Sequence, residues 1–446
     1  QLRTAQMLEA AWALYEIHPG CEHPLASKLM AEVARRVRTE GPERMCEAFH
    51  VVSGLPMRRP LPLVEPLAAA LRAVPPPFEP DQLVKLYDAL ARMRYDGPSL
   101  LAALEQRTQE LLSRSSLHEA QAASIIESLA LLNFAGSLQI VPALLLRLQN
   151  APLLLPPTVT AALHGAAQLR LVPVAPCGPA ELLGLMDKSL LPLELCELGV
   201  LGWSLIELGQ AELAAGVMRG LGPELLERVG SADLHSLLMS LWSLLNLQLH
   251  EHPLVAPLVA ALCKVGVGVR LPMHVGLLVE IALMLQFEAP PQLGLALPPE
   301  LCLQAHQAHL RQQQNAAGPP GQMLRGVAAA LDALRLRYQL QVCFATPQVT
   351  NSFLLDAALS REDTGGALVG LMLHPPHHYT SQRELVGKVR LAQRLLQCQG
   401  WAVVSVSVLE WNELRSHEDA VSLLRKLIQP HVRQQQQQPP PQQQQQ

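Results

Sequence analysis

Aromatic side chains are scarce in this 446-residue chain, where Phe, Trp and Tyr supply 4% of the residues although 49% are hydrophobic. Leu and Ala provide most of the apolar content, which is typical of packed helices, whereas β-sheet proteins favour β-branched and aromatic residues. The chain is also too long for one compact core of ordinary size. The composition therefore predicts an aliphatic, mainly helical protein that is built from several domains or from a repeat array.

Signatures of metal, disulfide and catalytic chemistry are also missing. The eight cysteines lie far apart and form no CxxC or CxxH pair, so neither a zinc site nor a disulfide framework is predicted. The chain contains no GxxxxGK[ST], GxSxG or HExxH motif. We therefore expect a protein that is not an enzyme and that needs no cofactor or metal.

No long apolar run is uninterrupted. Residues 149–176 are broken by several prolines, and residues 253–287 by charged residues and Pro272, so no membrane span is predicted. No signal peptide is visible, but the chain begins with Gln1, which leaves open whether a targeting segment precedes it.

An excess of positive charge is absent except near the C-terminus. Residues 1–115 hold 14 basic and 14 acidic side chains, residues 116–300 hold 7 and 15, and residues 301–446 hold 13 and 9. A uniformly cationic sleeve for nucleic acid is excluded, because phosphate neutralisation needs local Lys and Arg. Any RNA contact must come from local patches or from the C-terminal region.

Self-similarity is the strongest internal signal before residue 300. An anchor residue followed by small and aliphatic residues recurs at intervals of 36 to 41 residues, and a second apolar-periodic segment follows each one. The anchors are Trp12, Phe49, Asp88, Leu129, Gly165, Trp203, Trp242 and Ile281. One such helix pair cannot bury its apolar face alone, so stacking is required. The pattern predicts a right-handed α-solenoid of ~38-residue helical hairpins over residues 1–288, with about seven or eight pairs.

Some residues within the repeats have a second interpretation. Trp203 and Trp242, each followed by Ser-Leu, could stack on bases, but aromatics inside an apolar helical stripe are more often core. The same preference applies to His164, His235 and His250, each of which is alone on its helix.

The repeat pattern ends at a Pro/Gly/Gln-rich linker, residues 289–321, which brackets one short helix. Residues 322–432 then predict a small α/β domain in the order α-β-β-β-α-β-α, with a long helix from Ser381 to Gln399 and a turn at Glu410. Residues 433–446 are almost pure Gln and Pro and are predicted to be disordered.

Three segments of this last domain carry a family resemblance. They are the stretch from Leu373 to Tyr379, the stretch from Leu385 to Leu396, and Gly400-Trp-Ala-Val-Val-Ser followed by Glu410-Trp. Together they resemble the RAP domain, a C-terminal module of FAST-kinase-like proteins and of many organellar proteins. The helical hairpins are similar to octotricopeptide-type repeats, although the Pro-Glu-Trp signature of those repeats is not obvious here. The resemblance implies an α-solenoid followed by a restriction-endonuclease-like α/β domain.

The resemblance also brings nuclease chemistry into consideration, because such folds hold Mg²⁺ with acidic side chains on adjacent strands. The family pattern at the central strand reads Glu-Val-Asp-Gly-Pro-x-His-Phe, whereas this chain has Met372 and His374 at the two acidic positions. Asp356 on the preceding strand remains alone. We therefore predict that no nuclease activity is retained. His374, His377 and His378 could instead suggest a transition-metal site, but no further ligand follows at suitable spacing.

Seven residues are the candidates for RNA contact. Lys388, Arg390 and Arg394 recur at helical spacing with Arg383 one turn earlier, and they form either a solvated face or a phosphate-contacting ridge. His377, His378 and Tyr379 lie in the preceding loop, which packs or touches RNA.

The resemblance predicts a non-catalytic RNA-binding protein of an organelle, the mitochondrion or alternatively the chloroplast. It would bind rRNA or transcripts together with ribosomal or other organellar proteins, in its sharpest form as a component of an organellar ribosome. Two alternatives are open: a transcript-specific processing or translation factor, and a protein-interaction solenoid that has no RNA contact.

Overall fold

The structure is a computed structural model that describes residues 3–17, 24–54, 61–73, 78–95, 97–132, 137–174, 177–186, 193–265, 272–316, 321–345 and 350–431. Its helices are α1 (Thr4–Ile17), α2 (Pro24–Glu40), α3 (Pro42–Gly54), α4 (Leu61–Ala73), α5 (Pro80–Met93), α6 (Pro98–Ser113), α7 (Glu119–Leu132), α8 (Ser137–Gln149), α9 (Pro156–Gln168), α10 (Pro179–Gly184), α11 (Leu195–Glu207), α12 (Ala211–Leu221), α13 (Leu234–Asn246), α14 (Val255–Val265), α15 (Pro272–Phe287), α16 (Pro299–Ala316), α17 (Gln322–Ala333), α18 (Gly387–Cys398), α19 (Val408–Trp411) and α20 (His417–Ile428). The strands are β1 (Tyr338–Ala345), β2 (Thr350–Leu359), β3 (Leu368–His374) and β4 (Trp401–Ser407). Residues 1–193 and residues 194–446 form two compact units.

The predicted repeat is confirmed, because every anchor residue lies in the first helix of a helix pair. The first helices are the odd-numbered helices from α1 to α15, and each is followed by a second helix. Within each unit, first helices pack against neighbouring first helices, as α7 does against α9 and α11 against α13. Trp242 is fully buried, as predicted for a core residue, and Trp203 is half-buried.

Small residues allow the first helices to approach closely. A Cβ atom added to Gly199 of α11 would lie 2.7 Å from the Ser240 nitrogen of α13. The Ser240 and Ser243 hydroxyls donate to the Leu195 and Gly199 carbonyl oxygens at 3.0 and 3.1 Å. These hydroxyls are buried, so each of these hydrogen bonds satisfies a polar group that water does not reach.

In several helix pairs, an arginine that follows the first helix binds a residue just before the start of that helix. Arg107 of α6 donates to the Phe78 carbonyl oxygen just before α5, and Arg147 of α8 donates to the Leu117 carbonyl oxygen just before α7. Arg228 pairs at 2.9 Å with Glu194, the residue before α11. Several basic side chains of the repeats therefore bind partners within their own helix pairs.

The second helix of the sixth pair is shorter than predicted. Periodicity favours one helix from Ala211 to Val229, but α12 ends at Leu221 and residues 222–231 form a 3-10 helix. The reason is Pro223, which lacks the N–H that an α-helix needs at that position.

The predicted linker contains more regular structure than the sequence indicates. Helix α16 has 18 residues and packs against α15 and β2, so it forms the second helix of the eighth pair. Residues 317–320 and the Gln/Pro tail lie outside the described residues.

The C-terminal domain is a four-stranded sheet in the order β1-β2-β3-β4. The first two pairings are antiparallel, and β3 and β4 are parallel with α18 as their connection. Buried residues of α17, α20 and the strands form one core, which includes Leu331, Leu371 and Leu424. Trp411 packs against this core and on Gly326 of α17, and Trp401 is buried as well. The predicted turn at Glu410 is part of the short helix α19.

Candidate nucleic-acid interface

A turn segment connects β3 to α18 and begins at the carboxyl end of β3. In residues 375–386, hereafter the β3–α18 turn, Tyr379 and Leu385 form an antiparallel bridge, and the Val386 nitrogen donates to the His378 carbonyl oxygen at 3.0 Å. The predicted helix start at Ser381 is therefore wrong, because these backbone groups pair across the turn and α18 begins at Gly387. Ligands of sheets with parallel strands often bind at the carboxyl ends of those strands.

Four of the seven predicted RNA-contacting residues lie in this turn. His377 and Arg383 are exposed, whereas His378 and Tyr379 are half-buried. Arg383 has a φ of 62°, so it lies outside α18 and does not extend the row of cations on that helix. No ion pair of the Arg383 side chain occurs among the residues that the structure describes.

A hydrogen-bonded cluster around the buried His374 lies next to the turn. The Gln393 amide nitrogen of α18 donates to Ser405 Oγ of β4 at 2.6 Å and to His374 Nε2 at 3.0 Å. His374 Nδ1 then carries the ring proton and lies 3.3 Å from His378 Nδ1. Burial lowers the pKa of His374 to about 4, so the ring is neutral at physiological pH and carries no charge for a phosphate.

The Asp356 carboxylate on β2 also has a hydrogen-bond partner. Asp356 Oδ2 accepts a 2.7 Å hydrogen bond from the Leu373 nitrogen on β3. Burial raises the pKa of Asp356 against the opposing effect of this bond. Among the described residues, no group of three His, Cys, Asp or Glu side chains is placed to hold a metal ion.

The other three predicted residues lie on α18 and contact the helical repeats. The Lys388 nitrogen, in the first turn of α18, donates to Glu207 Oε1 at 2.8 Å. Lys388 Nζ lies 3.5 Å from Glu280 Oε1 of α15. Glu207 ends α11, so its carboxylate caps the N-terminus of α18, where the helix dipole favours negative charge.

The two arginines bind the ends of three first helices. Arg390 donates to the Ile206 carbonyl oxygen in the last turn of α11 at 3.1 Å. Arg394 donates to the Asn246 carbonyl oxygen at the end of α13 at 3.0 Å, and to both oxygens of Glu288, just after α15, at 2.7 and 3.1 Å. Carbonyl oxygens at helix C-termini and carboxylates both attract cations, so the guanidinium groups bind two kinds of acceptor.

Two glycines permit this close approach. A Cβ atom on Gly387 would lie 2.6 Å from the Ile206 carbonyl oxygen of α11. Gly209 follows α11 with a φ of 83°, and a Cβ atom there would lie 2.8 Å from Glu384 Oε2 of the β3–α18 turn. The backbones of α18 and α11 are therefore in direct contact.

The structure thus divides the predicted site. His377, His378, Tyr379 and Arg383 remain together in the β3–α18 turn, whereas Lys388, Arg390 and Arg394 face carboxylates and carbonyls of the repeats. RNA contact by either group remains a prediction. The carboxylates Glu207, Glu280 and Glu288 were missed by sequence reasoning, and their only signal is that acidic residues stand in otherwise apolar helical segments.

Glu207 makes this contact sensitive to pH. Burial raises the pKa of Glu207 to about 7, which the bond from the Lys388 nitrogen and the Lys388 charge only partly oppose. A carboxyl whose pKa is raised on folding binds more protons when folded, so its contribution to stability falls as pH rises from about 4.5 to 7. We expect Glu207→Gln, whose amide oxygen can still accept from Lys388, to stabilise the protein at pH 8 by up to about 3 kcal/mol.

Chemical denaturation at pH 5 and pH 8 tests this expectation. The gain of Glu207→Gln over wild type must be larger at pH 8 than at pH 5. Glu212→Gln on the exposed side of α12 serves as the control and should change neither value. An equal effect of Glu207→Gln at both pH values would contradict the assigned cause.

Comparison with known proteins identifies this part of the chain. The family model of the RAP domain matches residues 372–427, which run from the end of β3 through α20. No curated protein matches the sequence. Within the described residues, no helix is long and apolar enough to cross a membrane.

Proposed function

We propose that this chain, which carries a RAP domain at residues 372–427, is a non-catalytic RNA-binding protein of an organelle. The RAP match is the observation that carries the proposal, because RAP domains are associated with RNA binding. The helical repeats ahead of the domain supply an extended surface of the kind that presents side chains to unpaired bases.

The β3–α18 turn is the RNA contact that the geometry supports best. It projects an exposed imidazole and an exposed guanidinium from the carboxyl end of a parallel strand pair, beside a half-buried phenol. Arginine binds phosphate oxygens, and aromatic or imidazole rings stack on unpaired bases. Single-stranded RNA is therefore the ligand class that fits this turn.

The proposal that binding occurs without cleavage follows from the residues at the strand ends. A restriction-type nuclease needs at least two carboxylates beside the scissile phosphate, and Met372 and His374 occupy the acidic positions of the family pattern. His374 is neutral and tied to Gln393, and Asp356 accepts a backbone hydrogen bond. These groups serve the internal hydrogen-bond network of the domain.

Charge reversal in the turn tests the contact. We expect Arg383→Glu to weaken binding of single-stranded RNA by about 10-fold at 0.1 M salt, because it removes one phosphate contact and adds a repulsive charge. The slope of log K against log salt should fall by about 0.7. Fluorescence anisotropy of the full chain with labelled RNA at several salt concentrations measures both quantities.

Arg361→Glu is the matched control. Arg361 is exposed in the β2–β3 turn, at the opposite end of β3, so the same change of net charge occurs away from the proposed contact. An equal loss of affinity in both variants would mean that only net charge matters, and the proposed contact would be rejected.

A more specific form of the proposal is that this chain is a stable component of an organellar ribosome. The excess of acidic residues in positions 116–300 suits docking on basic ribosomal proteins better than contact with free RNA. Sedimentation of organelle extracts at high salt distinguishes the cases: co-migration with a ribosomal subunit supports the ribosomal role, and release supports a transcript-specific factor. Failure of the chain to crosslink to RNA in cells would instead favour a protein-interaction solenoid.

A further inference from the structure

We propose that α18 of the RAP domain is the C-terminal cap of the helical repeats, and that its three cations bind groups of the repeats instead of RNA phosphates. The two arginines bind helix ends, and Lys388 pairs with Glu280 within α15. The capping role is independent of the proposed function, whereas the statement about phosphates rests on it. This assignment replaces the sequence-based hypothesis of a phosphate-contacting ridge on α18.

The partners of α18 lie on several helices of the repeats. Its cations reach the last turn of α11, the last residue of α13 and the residue after α15. These are three successive first helices of the second unit. Helical repeat arrays need a terminal element that covers the exposed end of the stack, and a helix that binds carbonyl oxygens of two repeats and a carboxylate of the third does this.

The carboxylates that face α18 on the repeat side are buried. The side chains of Glu288 and Glu280 are only 5% and 6% exposed, and Glu207 is also buried. An RNA phosphate that displaced Glu288 from Arg394 would leave the Glu288 carboxylate buried without this partner, whereas Glu280 would keep the hydrogen bond from Trp242. Breaking a buried pair in this way costs far more than an exposed pair contributes.

Helix α18 is covered on two sides. Gly387, Arg390 and Arg394, spaced three and four residues apart, face the repeats, while Gln393 bonds His374 and Ser405 of the sheet. The helix therefore lies between the sheet and the ends of the first helices. Lys388 is the partial exception, because its side chain remains 63% exposed beside Glu280.

A charge exchange tests the capping role without RNA. In the full chain, Arg394→Glu and Glu288→Arg should each lower the melting temperature of the second unit by about 5–10 °C, and the double variant should recover about half of that loss. Arg337→Glu is the control, because Arg337 pairs with Glu362 and Asp363 within the C-terminal α/β domain and is 62% exposed. It should shift the melting temperature by less than about 2 °C. Absence of recovery in the double variant, or no loss in the single ones, overturns the proposal.

Salt titration tests the second part of the proposal, that the cations of α18 do not bind RNA phosphates. The double variant, measured well below its melting temperature, should keep the wild-type slope of log K against log salt for RNA, whereas Arg383→Glu should lower it. A lowered slope in the double variant would place Arg394 on RNA and reject this half. If neither the wild type nor the variants bind RNA, the proposed function fails, but the melting temperatures still decide the capping role.

Discussion

Replacing Trp242 with alanine is expected to lower the free energy of unfolding of the second unit by about 4 kcal/mol. Trp242 is fully buried in α13, so the substitution leaves a large cavity among packed first helices. It also removes the indole N–H that donates to Glu280 Oε2 at 2.7 Å. Glu280 is buried and pairs with Lys388, so this loss reaches the contact between the repeats and the RAP domain.

Guanidinium denaturation followed by far-UV circular dichroism measures the change. Trp242→Phe is the informative companion, because it removes the donor while it retains most of the side-chain volume. We expect it to cost about 1–3 kcal/mol, the range for a buried acceptor left without its partner. A loss below about 1 kcal/mol for Trp242→Ala would contradict the packing of α13 described above.

Replacing Gly387 with alanine is the second change for which we expect a large effect, about 2–4 kcal/mol of destabilisation. The added methyl group would lie 2.6 Å from the Ile206 carbonyl oxygen and 2.5 Å from Ile206 Cγ2. The backbone of α11 cannot rotate away as a flexible side chain would. Helix α18 must therefore shift, which lengthens the bonds from Lys388 and Arg390 to α11.

The matched control is the same substitution at Gly216. This glycine lies inside α12, and an added Cβ atom there meets nothing within 4 Å. Because alanine is the better helix former, Gly216→Ala should stabilise the protein by about 0.5–1 kcal/mol. Thermal unfolding of both variants should thus show shifts of opposite sign. A stabilising Gly387→Ala would mean that α18 and α11 are not in backbone contact.

Much of the architecture could be predicted from the sequence because it depends on local patterns. The anchors from Trp12 to Ile281 recur at the spacing of one helix pair, and a helix reports its buried face through residues three and four apart. The strands of the C-terminal α/β domain and its last helix were predicted for the same reason. Errors occurred where a single residue or a turn interrupts the pattern, as at Pro223 and between Tyr379 and Leu385.

The candidate site was predicted only in part. Spacing alone placed Arg383 on the same helix as Lys388, and the backbone pairing of the β3–α18 turn removed it from that helix. The same spacing made Lys388, Arg390 and Arg394 a row of cations with no named partner. A row of cations at helical spacing has the same sequence pattern whether it faces water, RNA or protein, so the pattern could not choose among them.

By itself, the sequence determined the helical repeat, the α/β domain that follows it and the resemblance of that domain to the RAP family. Tertiary structure alone decided which partners the charged side chains of that domain bind. Arg394 meets Glu288 across 106 residues, and the Lys388 nitrogen meets Glu207 across 181 residues. Periodicity reports which face of an element is buried, whereas the partner of a charged side chain depends on which distant elements the fold brings beside it.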